Sequence, residues 1–375
     1  MSPRRFVLGS TLEDTLSIIN RKTALSGLAL IGVSTLLLAG CAAAPTKSPT
    51  KTATNKFLPC MVSDNGGFDD HSFNELGLDG LKAAAKKLNS KYKAVESNAD
   101  TDYAPNIQSL IDQKCDLIIT VGFNLSAASL KAAAANPNIK FAIIDDAADA
   151  DFNGKVDDPN IKPILFDTAQ AAFMAGYAAA SYSKSHVVGT FGGMNFPTVS
   201  IFMTGYADGV KYFNQQKGAD VKVIGLKTFT GGFAANNTAK SIAANEINQG
   251  ADVLLPVGGP IFQSAGAAIK DSGKDVVMLG VDADVYTTFP TYDDLYLTSV
   301  LKGISQATQD VVTDVEGGNF NNTPYVGTLK NNGVGIAPFH NYASKVDSGL
   351  QGELDAIKKS IISGDIVVKS YLNAG

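Results

Sequence analysis

The run CDLIITVG at 115–122, followed after a helical stretch by KFAIIDD at 140–146, decides the fold. Each is a short, nearly unbroken block of apolar residues that stops on Gly or Asp. Such a block is the pattern of a parallel strand buried on both faces. Between them lies an Ala-rich helical segment near 125–136. Strand, helix, strand at this spacing is a βαβ unit, and such units wind right-handed into open parallel sheets.

Outward from that unit the same rhythm covers most of the chain. FLPCMVSD (57–64) leads to a helix near 72–88, YKAVES (92–97) to a helix near 104–113, and IKPILFD (161–167) leaves the set. The pattern then restarts. A long Ala-rich helix near 168–184 precedes HVVGTFGG (186–193), and a helix near 198–215 precedes VKVIGLKTF (221–229). Further helices near 236–249 and 262–271 alternate with ADVLLPVGG (251–259) and DVVMLGVD (275–282). Two series predict two doubly wound α/β lobes, 57–167 and 168–300. LYLTSVLKG (295–303) and the helix after it are expected to cross back. Lobe 1 would then gain a return segment near 301–335 and lobe 2 the C-terminal segment near 336–375.

The N-terminal part reads differently. After Arg21-Lys22, eighteen residues from Thr23 to Gly40 carry no charge, and Leu38-Ala39-Gly40-Cys41 closes the run. Cations, an apolar stretch and small residues form the layout of an export signal, and the terminal cysteine gives it the look of a bacterial lipobox. Residues 1–40 are therefore expected to be removed and Cys41 to carry acyl chains on the extracytoplasmic face of the cell membrane. The first twenty residues contain Glu13-Asp14 and make a long n-region, so the signal is expected to start further in. Residues 41–56, small, polar and Pro-containing, read as a flexible tether.

Composition limits the partners. Charged residues are 18 % and hydrophobic ones 45 %, which fits a globular body. The segment 1–40 carries four cations against two acids, so removing it moves the formal charge from −5 to −7 and leaves 335 residues. An acidic surface argues against nucleic acid. No second apolar run is long enough to span a membrane. Cys60 and Cys115 each sit in an apolar strand-like segment. An extracytoplasmic location permits a disulfide, but buried free thiols are the expectation. The three histidines are isolated and show no metal-ligand spacing.

Ligands of open parallel sheets bind beyond the carboxyl ends of the strands. Those ends carry Ser63-Asp64-Asn65-Gly66-Gly67-Phe68-Asp69-Asp70-His71-Ser72-Phe73-Asn74, Gly122-Phe123-Asn124, Asp145-Asp146, Gly192-Gly193-Met194-Asn195, Thr230-Gly231-Gly232-Phe233, Gly258-Gly259 and Asp282-Ala283-Asp284. Carboxylates and amides bind hydroxyls and ring nitrogens, and Phe offers stacking faces. The set suits a small, neutral, polar ligand with a flat part. Enzyme signatures are missing: Gly273-Lys274 is followed by Asp275, Pro338 stops any helix after Gly333-Val334-Gly335, and no GxSxG occurs. No cofactor is called for.

Over roughly 56–340 the chain resembles the basic-membrane-protein (BMP) family of substrate-binding lipoproteins, similar to purine-nucleoside receptors of ABC transporters. The resemblance rests on Asp70-His71-Ser72-Phe73-Asn74, Asp102-Tyr103-Ala104-Pro105-Asn106, Val121-Gly122-Phe123, the run Lys140 to Asp145, Val188-Gly189 with Gly192-Gly193-Met194, Gly280-Val281-Asp282, and Thr298-Ser299-Val300-Leu301-Lys302. It implies a type I periplasmic-binding-protein fold with two lobes joined by crossover segments. It also implies a site: Phe73 and Phe233 sandwiching a base, Asp64, Asn65, Asn74 and Asp145 in polar contact, Gly258 lining by backbone, and Asp282 with Lys302 holding ribose hydroxyls. The expected protein is a monomeric, non-enzymatic nucleoside receptor that serves ABC permease subunits. Competing readings are a sugar or autoinducer receptor, an extracytoplasmic nucleosidase built on the 64–70 carboxylates, and a surface adhesin or sensor. The chain has no tryptophan, where many members carry one just after the Phe73-Asn74 motif.

Overall fold

The computed structural model describes residues 56–373. The expected signal segment 1–40, Cys41 and the tether up to residue 55 lie outside the described residues. Among those described, no helix is long and apolar enough to cross a membrane.

Along the chain the elements run β1 (Pro59–Val62), α1 (Phe73–Leu88), β2 (Lys93–Val95), α2 (Tyr103–Asp112), β3 (Leu117–Val121), α3 (Ser126–Ala135), β4 (Lys140–Ile144) and β5 (Ile161–Phe166). A second series follows: α4 (Thr168–Tyr182), β6 (Val187–Gly192), α5 (Pro197–Lys217), β7 (Lys222–Ile224), α6 (Asn237–Asn248), β8 (Val253–Val257), α7 (Ile261–Ser272) and β9 (Val277–Asp282). Then come α8 (Val285–Thr288), β10 (Tyr296–Lys302), α9 (Ile304–Glu316), β11 (Tyr325–Gly327), β12 (Val334–Ile336) and α10 (Leu350–Ser363).

Among the described residues the strands form two six-stranded sheets with matching order. The first is β11-β5-β4-β3-β1-β2 and the second β12-β10-β9-β8-β6-β7. All neighbours are parallel except β10 and β12. The interior strands β3, β8 and β9 are buried along their whole length, the reason they read as unbroken apolar runs. In the second lobe α4 lies tightly on α5. A Cβ added at Gly209 would come 1.9 Å from the carbonyl oxygen of Phe173, so only glycine permits this approach.

Three expectations change. β10 stays in the second sheet, and it is α9 that returns to pack on α1. The strand expected over 221–229 shrinks to Lys222–Ile224, because Gly225 turns the backbone at φ +83; only an isolated bridge from Gly192 to Phe229 continues the pairing. Cys60 and Cys115 are not free thiols but a disulfide, with Cα atoms 6.0 Å apart. The two apolar segments are adjacent strands, Cys60 pairing with Ile118 in register, and this adjacency brings the sulfurs together.

Three crossings join the sheets, at Asp167, Gly303 and residues 328–333. They bond to one another: Asp167 N donates to Gly327 O, and Gly303 N to Gly333 O, both at 2.8 Å.

Candidate functional site

The carboxyl ends of the two sheets face one cleft. It encloses about 590 Å³ between side chains, counting its opening to solvent. Eight of the nine residues expected at the ligand line it: Asp64, Phe73, Asn74, Asp145, Phe233, Gly258, Asp282 and Lys302. Asn65 is exposed and outside the lining.

The loop after β1 is organised by Asp70. Its carboxylate accepts the backbone N–H groups of Ser72 (3.0 Å), Asn74 (2.8 Å) and Glu75 (3.1 Å), which caps α1 and fixes Phe73 and Asn74 at the cleft. Asn74 Nδ2 then bridges Asp70 and Asp64, at 3.0 and 2.8 Å. Asp64 Oδ1 also accepts from Gly66 N at 2.8 Å, while among the described residues its Oδ2 has no protein donor. Burial pushes the Asp64 carboxyl up to about 6, against the pull of these hydrogen bonds.

A buried ion cluster forms the opposite end. Lys302, at the end of β10, holds Asp145 at 2.5 Å and Asp282 at 3.4 Å. Asp145 follows β4 and Asp282 ends β9, equivalent strands of the two sheets, so the lysine ties the lobes together. Burial works against the lysine charge, but the two carboxylates overcome it and raise its pKa. The ammonium also lies 5.0 and 5.1 Å from the ring centres of Phe73 and Phe202. Both aspartates occupy the left-handed region, φ 64 and 68, where backbone strain concentrates at functional sites. Asp282 Oδ1 is buried and its contact with the Lys302 ammonium is long, 3.4 Å, so the oxygen keeps capacity for a ligand donor.

Between these ends stand aromatic rings. Phe233 rests against Gly193 and Gly258; Cβ atoms there would come 2.4 and 2.7 Å from its ring. Phe73 faces the cavity from the first lobe. Sequence reasoning left Asp70, Phe123, Asn124, Phe196 and Phe202 outside the set, although all except Phe202 lie in or next to the strand-end segments already marked. On one side the lobes also meet through Ser72 Oγ donating to Val281 O (2.9 Å) and Thr288 Oγ1 donating to His71 O (2.7 Å). Among the described residues, the acidic group with cation-ligand spacing, Asp149, Asp151 and Asp157, is on a separate loop after β4 and outside the cavity.

Two doubly wound lobes around a deep polar-aromatic cleft define a solute-binding protein of type I periplasmic-binding fold. The sequence model of the PnrA-like ABC transporter substrate-binding proteins matches residues 57–371, and the chain belongs to that family. It is 28% identical over 367 residues to the ABC transporter nucleoside-binding protein BmpA of Lactococcus lactis, covering 93% of this chain and 99% of that one. It is 29% identical over 308 residues to basic membrane protein A of Borreliella burgdorferi, covering 82% and 86%. An uncharacterised lipoprotein of Pyrococcus abyssi is 31% identical over 321 residues, covering 83% and 76%. Among solved structures, an ABC transporter solute-binding protein from Aeropyrum pernix superposes with TM-score 0.73 at 24% identity, covering 84% and 94%. The protein is thus the substrate-binding component of an ABC transporter and not an enzyme.

Proposed function

We propose that the cleft binds a nucleoside, with a purine as its base, and that the protein presents this cargo to its permease from the extracytoplasmic face. One observation supports the reading: rings from opposite lobes, Phe73 and Phe233, line the same cavity as an acid–lysine–acid cluster. A nucleoside has the matching parts, a flat base to stack and vicinal hydroxyls that donate to a carboxylate. A nucleotide would bring phosphate to a cavity that holds Asp64, Asp70, Asp145 and Asp282 against Lys302 alone. The name of the Lactococcus relative supports the nucleoside class.

In the same proposal the protein is a monomer held to the membrane by acyl chains on Cys41. The Cys60–Cys115 disulfide supports an oxidising, extracytoplasmic setting. The test is calorimetric titration of the purified protein with inosine, guanosine, adenosine, uridine, free bases, arabinose and myo-inositol. Purine nucleosides are expected to bind tightest. Tight binding of a sugar with no response to nucleosides would overturn the reading.

A further inference from the structure

Phe123 opens the short turn after β3 in the first lobe, and Phe196 immediately precedes α5 in the second. Their rings stack with centroids 4.7 Å apart and planes inclined by 27°. Both are half-buried and both line the cavity. Phe196 in turn approaches Phe233, centroid to centroid 6.4 Å. The stacked pair therefore belongs to neither lobe alone. Its two apolar faces are covered only while the lobes are together, and opening the cleft turns both toward water.

We propose that Phe123 and Phe196 form an aromatic gate across the cleft that favours the closed state and slows release of the cargo. The contact is made by side chains of the two lobes, so it shifts the equilibrium between open and closed forms independently of cargo chemistry. A ligand that binds between the lobes adds to this bias. The gate thus acts on residence time, whereas Asp282, Lys302 and the stacking rings act on what is bound. The inference rests on the nucleoside reading only for its choice of probe.

Release of 2-aminopurine riboside, followed by stopped-flow fluorescence on the full protein, tests it. Phe123→Ala and Phe196→Ala are each expected to speed dissociation by about 3- to 10-fold, the factor an aromatic pair of this geometry carries. The association rate should not fall. The double variant should release no faster than the singles, since either change breaks the pair. Phe123→Ala is decisive because Phe123 makes no ring contact with Phe233; an effect confined to Phe196→Ala would mean lost support of Phe233 and would overturn the gate. So would additive effects in the double variant. Phe123→Leu, which keeps apolar bulk without a stacking face, should release faster than wild type. Small-angle scattering of the protein without added nucleoside gives a second readout. Both variants should show a larger radius of gyration than wild type, and equal radii would overturn the proposal. Should wild type bind no nucleoside, the nucleoside reading fails while the scattering comparison still decides the gate.

Discussion

Asp282 Oδ1 is buried 3.4 Å from the Lys302 ammonium, and Oδ2 lies 3.4 Å from Ser72 Oγ, so both oxygens are held only by long contacts. The short helix α8 starts three residues later, at Val285, with Asp284 at its cap position, so Asp282 does not serve that helix. Asp282→Asn keeps the outline, weakens the acceptor and adds donors. Hydrogen bonds to charged groups are worth about 1.5–3 kcal/mol. Inosine should therefore bind roughly ten- to a hundredfold more weakly, and 2′-deoxyinosine should lose less because one partner is already missing. Paired calorimetric titrations check this, and equal losses for both sugars would contradict the hydroxyl-holding role. Glu246 gives a prediction of another kind. It is buried on α6, neither carboxylate oxygen has a hydrogen-bond partner, and burial pushes its carboxyl up to about 8. Below the ordinary carboxylate range it is protonated in both folded and unfolded chains and adds no pH-dependent penalty. As pH rises from there, the unfolded chain releases a proton that the folded one keeps, and stability falls until the folded group also ionises near pH 8. The full penalty is on the order of 5 kcal/mol. Glu246→Gln should show a smaller drop in melting temperature from pH 5 to pH 9 than wild type; identical pH profiles would show that burial does not raise this carboxyl's pKa in the folded chain.

At the scale of elements, what the sequence made legible follows period and burial. The buried strands β3, β8 and β9 show as apolar blocks, and α4 shows as an Ala-rich run, because their environment is uniform along their length. The edge strand β7 is half-exposed and cut by Gly225, so its apparent length misled. The 145–160 connection between β4 and β5 carries no helix, against the βαβ rhythm; acidic side chains accept backbone N–H groups there instead, as Asp149 does from Asn153 and Gly154. The disulfide was illegible for a different reason: periodicity assigns strands but not which strands are neighbours. Cys60 and Cys115 are 55 positions apart and both are buried. Closing a loop of that length stabilises by about 4 kcal/mol in the chain-entropy account. Neither residue lines the cleft. The double change Cys60→Ala with Cys115→Ala should therefore lower the denaturant midpoint clearly while leaving nucleoside affinity at low temperature near wild type. A lost affinity in a still-folded variant would mean that the link reaches the site.

At the scale of the molecule, the site was legible where a strand end coincided with a chemistry-bearing residue and where the family resemblance added positions such as Lys302; eight of the residues so marked converge on one cavity. What escaped is what depends on the two lobes meeting: the Asp145–Lys302 tie, the Ser72–Val281 bond and the Phe123–Phe196 stack each join residues from different lobes. Attachment to the membrane is the remaining question of this scale, and it turns on Cys41. Among the described residues no helix is long and apolar enough to cross a bilayer. A single acyl chain binds a membrane only marginally, and stable anchoring takes two signals. The mature N-terminus is therefore expected to carry more than one chain. Cys41→Ser should leave an uncleaved precursor or release the body into the medium, read by fractionation and intact-mass spectrometry. Wild-type protein from the membrane fraction should begin at Cys41 with a mass increment of multiple acyl groups. Recovery of an unmodified Cys41 on membrane-bound protein would end the lipid-anchor proposal while leaving the cleft chemistry untouched.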